Sequence, residues 1–478
     1  MLEIFDFRLN GDIYEYPLCE KRRIEKWIRL AHVCRRWRSV IFQSPHRLDL
    51  QLLCTPKTPA RDTLDIWPPL PIHIYSAYEL NEPSSVDNII AALEHNDRVC
   101  EIELEDFTNS QLEYITNSAA MQKPFLKLTD LNIAISKFED DEPRPILPNS
   151  FLDGTAPRLR HLDLSGVPFP VLPKLLLSAT HLVDFRLYNI PRSGYIPPEL
   201  MATSLTALTS LEYLYLRFRY PRPRPAIESR RPPPRRLTRS ILPRLTEIAF
   251  TGASEYLEEI LARVDAPRLN QMFITFFNQI IFDTPQLFQF INRRPTLRAP
   301  KEGRIVFGSE DITVRFPSQT SHLESISVRI RCTASEWQLS SIEQLQVCTS
   351  SSPLVSTLDD LYIFEDRLAP PRWQDDVENT LWLDLLRSFV AVKNLYLSEE
   401  FVPRVALALQ ELVGGRTTEV LPTLENIFLE RFQPSGPFHE GIEKFIAARQ
   451  LTSHPVAVSH WDTDSKREKQ RDTFHFYI

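Results

Sequence analysis

A spacing of large apolar residues, L-x-x-L-x-L, recurs from residue 99 to residue 429 and constrains this chain more than any other feature. It reads Val99/Ile102/Leu104, Leu128/Leu131/Ile133, Leu159/Leu162/Leu164, Leu182/Phe185/Leu187 and Leu211/Leu214/Leu216 in the first half. It continues as Leu245/Ile248/Phe250, Leu269/Met272/Ile274, Leu323/Ile326/Val328, Leu358/Leu361/Ile363, Val392/Leu395/Leu397 and Leu424/Ile427/Leu429. Successive starts lie 23 to 35 residues apart, with one interval of 54. The last two apolar positions alternate, so they share one face of a short strand. Between the strands lie segments of helical spacing at 86–93, 255–261, 376–389 and 402–413. Pro157, Pro243, Pro267 and Pro422 each stand just before a strand unit, where proline ends a helix and restarts the chain extended. One strand–helix cycle cannot bury both its faces, whereas stacked cycles can.

This arrangement resembles irregular leucine-rich repeats over most of residues 99–432. The resemblance implies an α/β solenoid, a horseshoe of short parallel strands, with the repeat domain spanning 47–460 and earlier strands near 47–52 and 70–74. The family's Asn, three residues after the last Leu, is absent; Phe107, Val167, Ile190 and Phe432 hold that place, so apolar packing replaces the Asn ladder. A helical solenoid would not need the L-x-L alternation, and a propeller would need more turn glycines than a chain with 11 Gly and 39 Pro provides. A doubly wound α/β sheet remains the competing fold.

Two places break the period. Residues 220–236 hold six Pro and six Arg between 221 and 236, and read as an exposed, extended loop. The 54-residue interval contains two alternating runs around a turn, 304–307 and 312–316, which predict a β-hairpin inserted at 304–316. One further strand candidate, Val456–Val458, precedes a charged tail at 461–478.

At the N-terminus, residues 27–41 read as a helix place Trp27, Leu30, Cys34, Trp37 and Ile41 on one face, with Val33 and Val40 beside them. Arg29, Arg35, Arg36 and Arg38 fall outside that stripe. A stripe this short must pack on another element: Leu2, Ile4, Phe5 and Phe7 at the N-terminus, the body behind it as a capping helix, or a partner protein. Leu2-Glu3-Ile4-Phe5, Val33-Cys34-Arg35-Arg36-Trp37-Arg38, Phe42 and Ser44-Pro45 resemble an F-box, the module by which substrate receptors dock on a Skp-family adaptor of a cullin ubiquitin ligase. The family's opening Leu-Pro does not precede Leu2, so the module at 1–46 is read as N-terminally incomplete. The combination of F-box and irregular repeats resembles large fungal F-box families. It implies adaptor contacts through Leu2, Ile4, Phe5, Leu30, Val33, Cys34 and Trp37.

The net charge of −7 argues against bulk nucleic-acid binding. Six cysteines show no zinc spacing, and no apolar run is long enough for a membrane span, so the expectation is a chain of the cytoplasm or nucleus with no membrane partner. No Gly-rich phosphate loop, His-Glu-x-x-His or Gly-x-Ser-x-Gly occurs, so the chain is read as no enzyme, with no cofactor and no metal. His454, His460, Asp462 and Asp464 form the one dense His/carboxylate group and read as surface residues. What remains is a binding surface, made by the side chains that alternate with the buried Leu positions. These include Tyr213, Tyr215, Arg217, Phe273, Tyr362, Phe364, Tyr396 and Phe428, with Asp163, Arg186 and Arg329 among them. Aromatics with scattered Arg suit a protein interface, although they equally suit stacking on neighbouring strands. The resemblance thus implies a non-catalytic substrate receptor; a stand-alone repeat scaffold with a decayed F-box and an α/β enzyme are the alternatives.

Overall fold

The computed structural model describes residues 32–43, 51–65, 69–76, 84–105, 107–135, 144–219, 239–277, 284–294, 297, 300–317, 324–332, 337–342, 353–371, 379–412, 416–430 and 439–461. The chain divides into two compact units, Met1–Arg219 and Tyr220–Ile478.

In the first unit β1 (Leu52–Cys54), β2 (Ile72–Ser76), β3 (Val99–Leu104), β4 (Asp130–Ala134), β5 (His161–Ser165), β6 (Asp184–Ile190) and β7 (Tyr213–Phe218) lie side by side in chain order. Every neighbouring pair is parallel. Parallel neighbours need a crossover, and helices supply it at Ala60–Thr63, Ser84–Leu93, Asn109–Thr116, Leu172–Ser178 and Pro198–Leu205. The register stacks Leu131, Leu162, Phe185 and Leu214 in one row, and Ile133, Leu164, Leu187 and Leu216 in the next. Local chemistry starts the helices. Thr108 and Gln111 form a reciprocal capping box, and prolines occupy the first turn of Leu172–Ser178 and Pro198–Leu205.

The second unit contains β9 (Glu247–Gly252), β11 (Gln271–Phe276), β12 (Glu302–Phe307), β13 (Asp311–Pro317), β14 (Glu324–Arg331), β15 (Asp360–Glu365), β16 (Asn394–Leu397), β17 (Asn426–Glu430) and β18 (Ala457–Trp461). A separate small parallel pair joins β8 (Ser240–Ile241) to β10 (Val264–Asp265). The order across the main sheet is β9-β11-β14-β13-β12-β15-β16-β17-β18. The two runs around 304–316 do pair antiparallel, Ile305 opposite Val314, and the Gly308 N–H donates to the Asp311 carbonyl at 2.8 Å to close the turn. Both strands enter the main sheet instead of standing apart from it. β13 is antiparallel to both its neighbours, while β14 runs parallel to β11 and β12 runs parallel to β15. A three-strand meander is therefore spliced between two runs of parallel repeats. Gly303 permits the splice at one point: it faces Leu361 across the register, where a Cβ would sit 2.8 Å from Leu358 Cδ1.

Every described L-x-x-L-x-L position is at most 8% exposed. Phe307 on β12, outside the pattern, shares the face of Ile363 and meets the helices: it packs against Trp382 of the helix Asn379–Arg387 and against Phe401, with ring centroids 5.7 and 4.9 Å away. The helix expected at 402–413 runs Val402–Gln410. The strand expected at 456–458 runs on to Trp461, so the span read as tail yields its first residue to β18. The loop 220–236, and Leu323 and Phe432, lie outside the described residues, as do residues 1–31. One expectation is corrected. The helix expected over 27–41 does not include His32–Cys34, and the described helix is Arg35–Gln43, while residues 27–31 lie outside the described residues. Cys34 acts as its cap: the Trp37 N–H donates to the Cys34 thiol at 3.4 Å, and the Arg38 N–H to the Cys34 carbonyl at 3.0 Å.

Near the end of the second unit, Arg449 of the helix His439–Leu451 is fully buried without a carboxylate partner among the described residues. Its guanidinium donates to the carbonyls of Thr417 (3.2 Å), Leu421 (3.0 Å), Pro422 (3.4 Å) and Leu424 (3.2 Å). Four carbonyl dipoles thus hold the turn that feeds β17, where Leu421 adopts a positive φ of 47°. Arg449→Met leaves these carbonyls buried without donors and should cost roughly 3 kcal/mol, read as a lower urea midpoint. Arg449→Lys, which lacks the planar fork, should recover only part of that loss.

Candidate functional site

The same register that stacks the leucines on one face of the second unit's sheet stacks other side chains on the opposite face. Tyr362, Tyr396 and Phe428 are direct neighbours on β15, β16 and β17. Their rings lie nearly parallel, Tyr362 to Tyr396 at 4.1 Å and 10°, and Tyr396 to Phe428 at 4.4 Å and 7°. Trp461 at the end of β18 lies edge-on to this ladder, 5.7 Å from Tyr362 and 5.5 Å from Tyr396. Val306 and Phe364 complete the buried cluster. Two residues earlier on each strand runs a polar ladder, in which Asn394 donates to Asp360 (2.7 Å) and Asn426 donates to Asn394 (2.8 Å). In the first unit Phe107, Val167 and Ile190 are buried three residues after the last Leu of their repeats, as apolar packing in place of the Asn requires. The Tyr362 and Tyr396 hydroxyls are hydrogen-bonded to each other, and burial is the main cause that pushes both phenols above their ordinary pKa.

This geometry sorts the aromatic candidates. Tyr396 and Phe428 are half-buried and keep part of their ring surface exposed. Tyr362, at 2% exposed, and Phe364 are buried beneath their neighbours, so they shape the surface without forming it. Phe273 on β11 is separated from Tyr362 by the meander, four strand steps or about 19 Å at ordinary strand spacing, and does not join the ladder. Between them the meander contributes Arg304, Arg315 and Arg329; Arg304 is tied to Glu302 at 2.6 Å and lies 5.9 Å over the Tyr362 ring.

In the first unit, Tyr213 and Arg217 are half-buried on β7 and Tyr215 between them is buried. The row across the sheet reads Glu103, Asn132, Asp163, Arg186 and Tyr215. Arg186 is held in a fork by Asp184, at 2.8 and 2.6 Å, and lies 4.9 Å over Tyr215, while Arg217 lies 5.5 Å over Tyr188. Asn132 donates to Glu105 at 2.8 Å. Asp163 is pushed up to about 7, chiefly by burial and then by the nearby Asp184 and Glu105 carboxylates, against the pull of Arg186.

Of the adaptor candidates, Leu2, Ile4, Phe5 and Leu30 lie outside the described residues. Val33 is 59% exposed, Cys34 is exposed and Trp37 is half-buried, all within one turn of the start of the helix Arg35–Gln43. Sequence reasoning missed Trp461. The signal was present: Ala457, Ser459 and Trp461 continue the alternation that places Phe428 on the ladder face. The buried Cys54 and Cys332 thiols are pushed up to about 12 by burial, which keeps them protonated and poor nucleophiles. Among the described residues no group of three His, Cys, Asp or Glu is placed to hold a metal ion. No described helix is long and apolar enough to cross a membrane.

Trp461→Ala uncovers two stacked tyrosines and removes a buried indole, so it should lower stability by about 3 kcal/mol in urea unfolding. The pH dependence of Asp163 has a fixed sign. Its folded pKa lies above the unfolded one, so the folded state holds an extra proton between about pH 4 and pH 7, and stability falls as pH rises through that window. Asp163→Asn should therefore raise the melting temperature relative to the parent chain at pH 8 more than at pH 4.

No family model matches the chain, and no curated protein matches it. Among solved structures, the chain is similar to the leucine-rich repeat-containing protein LegL7 from Legionella pneumophila, at 13% identity, over 72% of this chain and 96% of that chain, with a TM-score of 0.26. A likeness that distant carries no argument, and the repeat assignment rests on the strand–helix cycles and their register.

Proposed function

We propose that this chain is the non-catalytic substrate-receptor subunit of a cullin-type ubiquitin ligase. Its N-terminal helices bind a Skp-family adaptor and its sheet faces bind a protein target. The observation that carries the adaptor half is the exposure of Val33 and Cys34 at the head of the helix Arg35–Gln43. An apolar side chain 59% exposed beside a half-buried Trp37 is ordinary as a single residue, but here it falls within the segment that resembles the F-box contact run. Arg35, Arg36 and Arg38 stay exposed around it and favour solution over the body of the chain.

The target half is supported by repetition of one chemistry. Tyr396 and Phe428 offer stacked rings bordered by the Asp360–Asn394–Asn426 ladder, and in the first unit Tyr213 and Arg217 border an Arg–Tyr network. Rigid aromatic surface flanked by satisfied polar groups loses little entropy on binding. The receptor reading places the chain in the cytoplasm or nucleus. A stand-alone repeat scaffold whose F-box has decayed would use the same faces without an adaptor.

The two readings part on one experiment. Tagged full-length chain should retain a Skp-family adaptor on co-purification, and Val33→Glu should reduce retention at least about tenfold. Because Val33 is exposed, that change should leave the thermal unfolding curve within the ordinary range of a surface substitution, about 0.5 kcal/mol. A chain that never retains adaptor, or a variant that retains it fully, replaces the receptor with the scaffold.

A further inference from the structure

We propose that Arg239, Arg293 and Arg294 form a binding site for a phosphate-class dianion. The site lies within the second unit, where the helix Pro285–Asn292 ends against the small β8–β10 pair. Arg294 is ion-paired to Asp265 of β10 and its side chain is 6% exposed. Arg293 follows the same helix, with its Nε 3.9 Å from the same Asp265 oxygen. Both guanidiniums lie against the buried Phe290 ring, 5.0 Å away for Arg294 and 5.8 Å for Arg293. Arg239 immediately precedes β8, and because Ile241 pairs with Asp265 it arrives at the same corner; its Nε donates to the Ala262 carbonyl at 3.3 Å.

The charges in this corner do not balance. Arg293 and Arg294 share the Asp265 carboxylate and Arg239 has no carboxylate partner among the described residues, which leaves two positive charges, while the neighbouring Arg263 is already paired with Glu259 on its own helix. The imbalance is felt at Arg293, whose pKa is lowered first by burial and then by Arg239, with Arg294 adding to it and Asp265 opposing. Hydrogen bonds do not balance either. Arg294 Nε and Arg293 Nε and Nη2 are buried and have no acceptor among the described residues. Buried donors in folded proteins are almost always satisfied, and an orphaned set indicates an acceptor such as an ion. The last carbonyls of the helix favour a nearby cation, but they explain one arginine better than three. Forked guanidinium donors around two uncompensated charges suit a tetrahedral oxyanion with two negative charges. Arg239 is exposed and Arg293 partly so, which leaves the corner open to solvent on their side.

The test is thermal unfolding of the full chain in inorganic phosphate against chloride at matched ionic strength, with free phosphoserine as a parallel arm. Phosphate should raise the melting temperature by about 2 °C or more near saturation, in line with ligand linkage for a chain of this size. A rise with inorganic phosphate marks a free-ion site, and a rise with phosphoserine alone marks a site for esterified phosphate. Arg293→Gln should abolish the response. Arg239→Gln, at an exposed position, should fold normally and shift the half-saturating concentration at least tenfold. Broadening of the phosphate phosphorus NMR line by the parent chain, lost in Arg239→Gln, reads binding without reference to stability. An equal rise in chloride, or an unchanged phosphate response in Arg239→Gln, overturns the site and makes the cluster a helix-end packing arrangement only.

Discussion

In-register pairing of short strands is the constraint on which the rest of this protein depends. Because neighbouring strands align residue for residue, a buried leucine on one strand lies beside a buried leucine on the next. The same alignment makes the opposite face repeat as well, and it stacks whatever side chains the sequence offers there. In the second unit these are Tyr362, Tyr396 and Phe428 in one row and Asp360, Asn394 and Asn426 in another. The candidate surface is thus a by-product of how the core is built, and substitutions that disturb register would reach both faces at once.

Most departures from a regular repeat lie in the second unit and have local causes. The meander β12–β14 enters the sheet because its middle strand presents backbone groups to both sides, and Gly303 allows the splice by leaving room for Leu358. Arg449 holds the turn before β17 through backbone carbonyls. Each device spends polar or steric specificity on a point where the periodic pattern alone would leave the chain unguided. The arginine corner at Asp265 is different, since its charges and donors remain uncompensated by the described residues.

The repeat was legible in sequence because period-2 alternation at the end of each unit is a local signal that needs no knowledge of neighbours. The hairpin around 304–316 was legible for the same reason. Its place in the sheet was not, since strand order is decided by which edges remain free after the repeats stack. The N-terminal helix was read as continuous through residue 41, whereas the cap at Cys34 depends on a thiol accepting the Trp37 N–H, a role that hydrophobic periodicity does not register. Among the aromatic candidates, alternation groups Tyr362 and Tyr396 on the face opposite the leucines but has no means to say which is covered. Trp461 decides that, and it reaches the ladder from a strand that looked like the edge of a tail.

The sequence by itself determined the period of the repeat, the face on which each apolar residue lies and the residue types available on the other face. These follow from backbone geometry, which is the same for every strand and helix. Tertiary structure decided which of those side chains meet: that the meander sets Phe273 apart from the tyrosines, that Trp461 closes over them, and that two arginines of one helix end share one aspartate. Such contacts join residues from separate elements, and only the packing of those elements brings them within reach of one another.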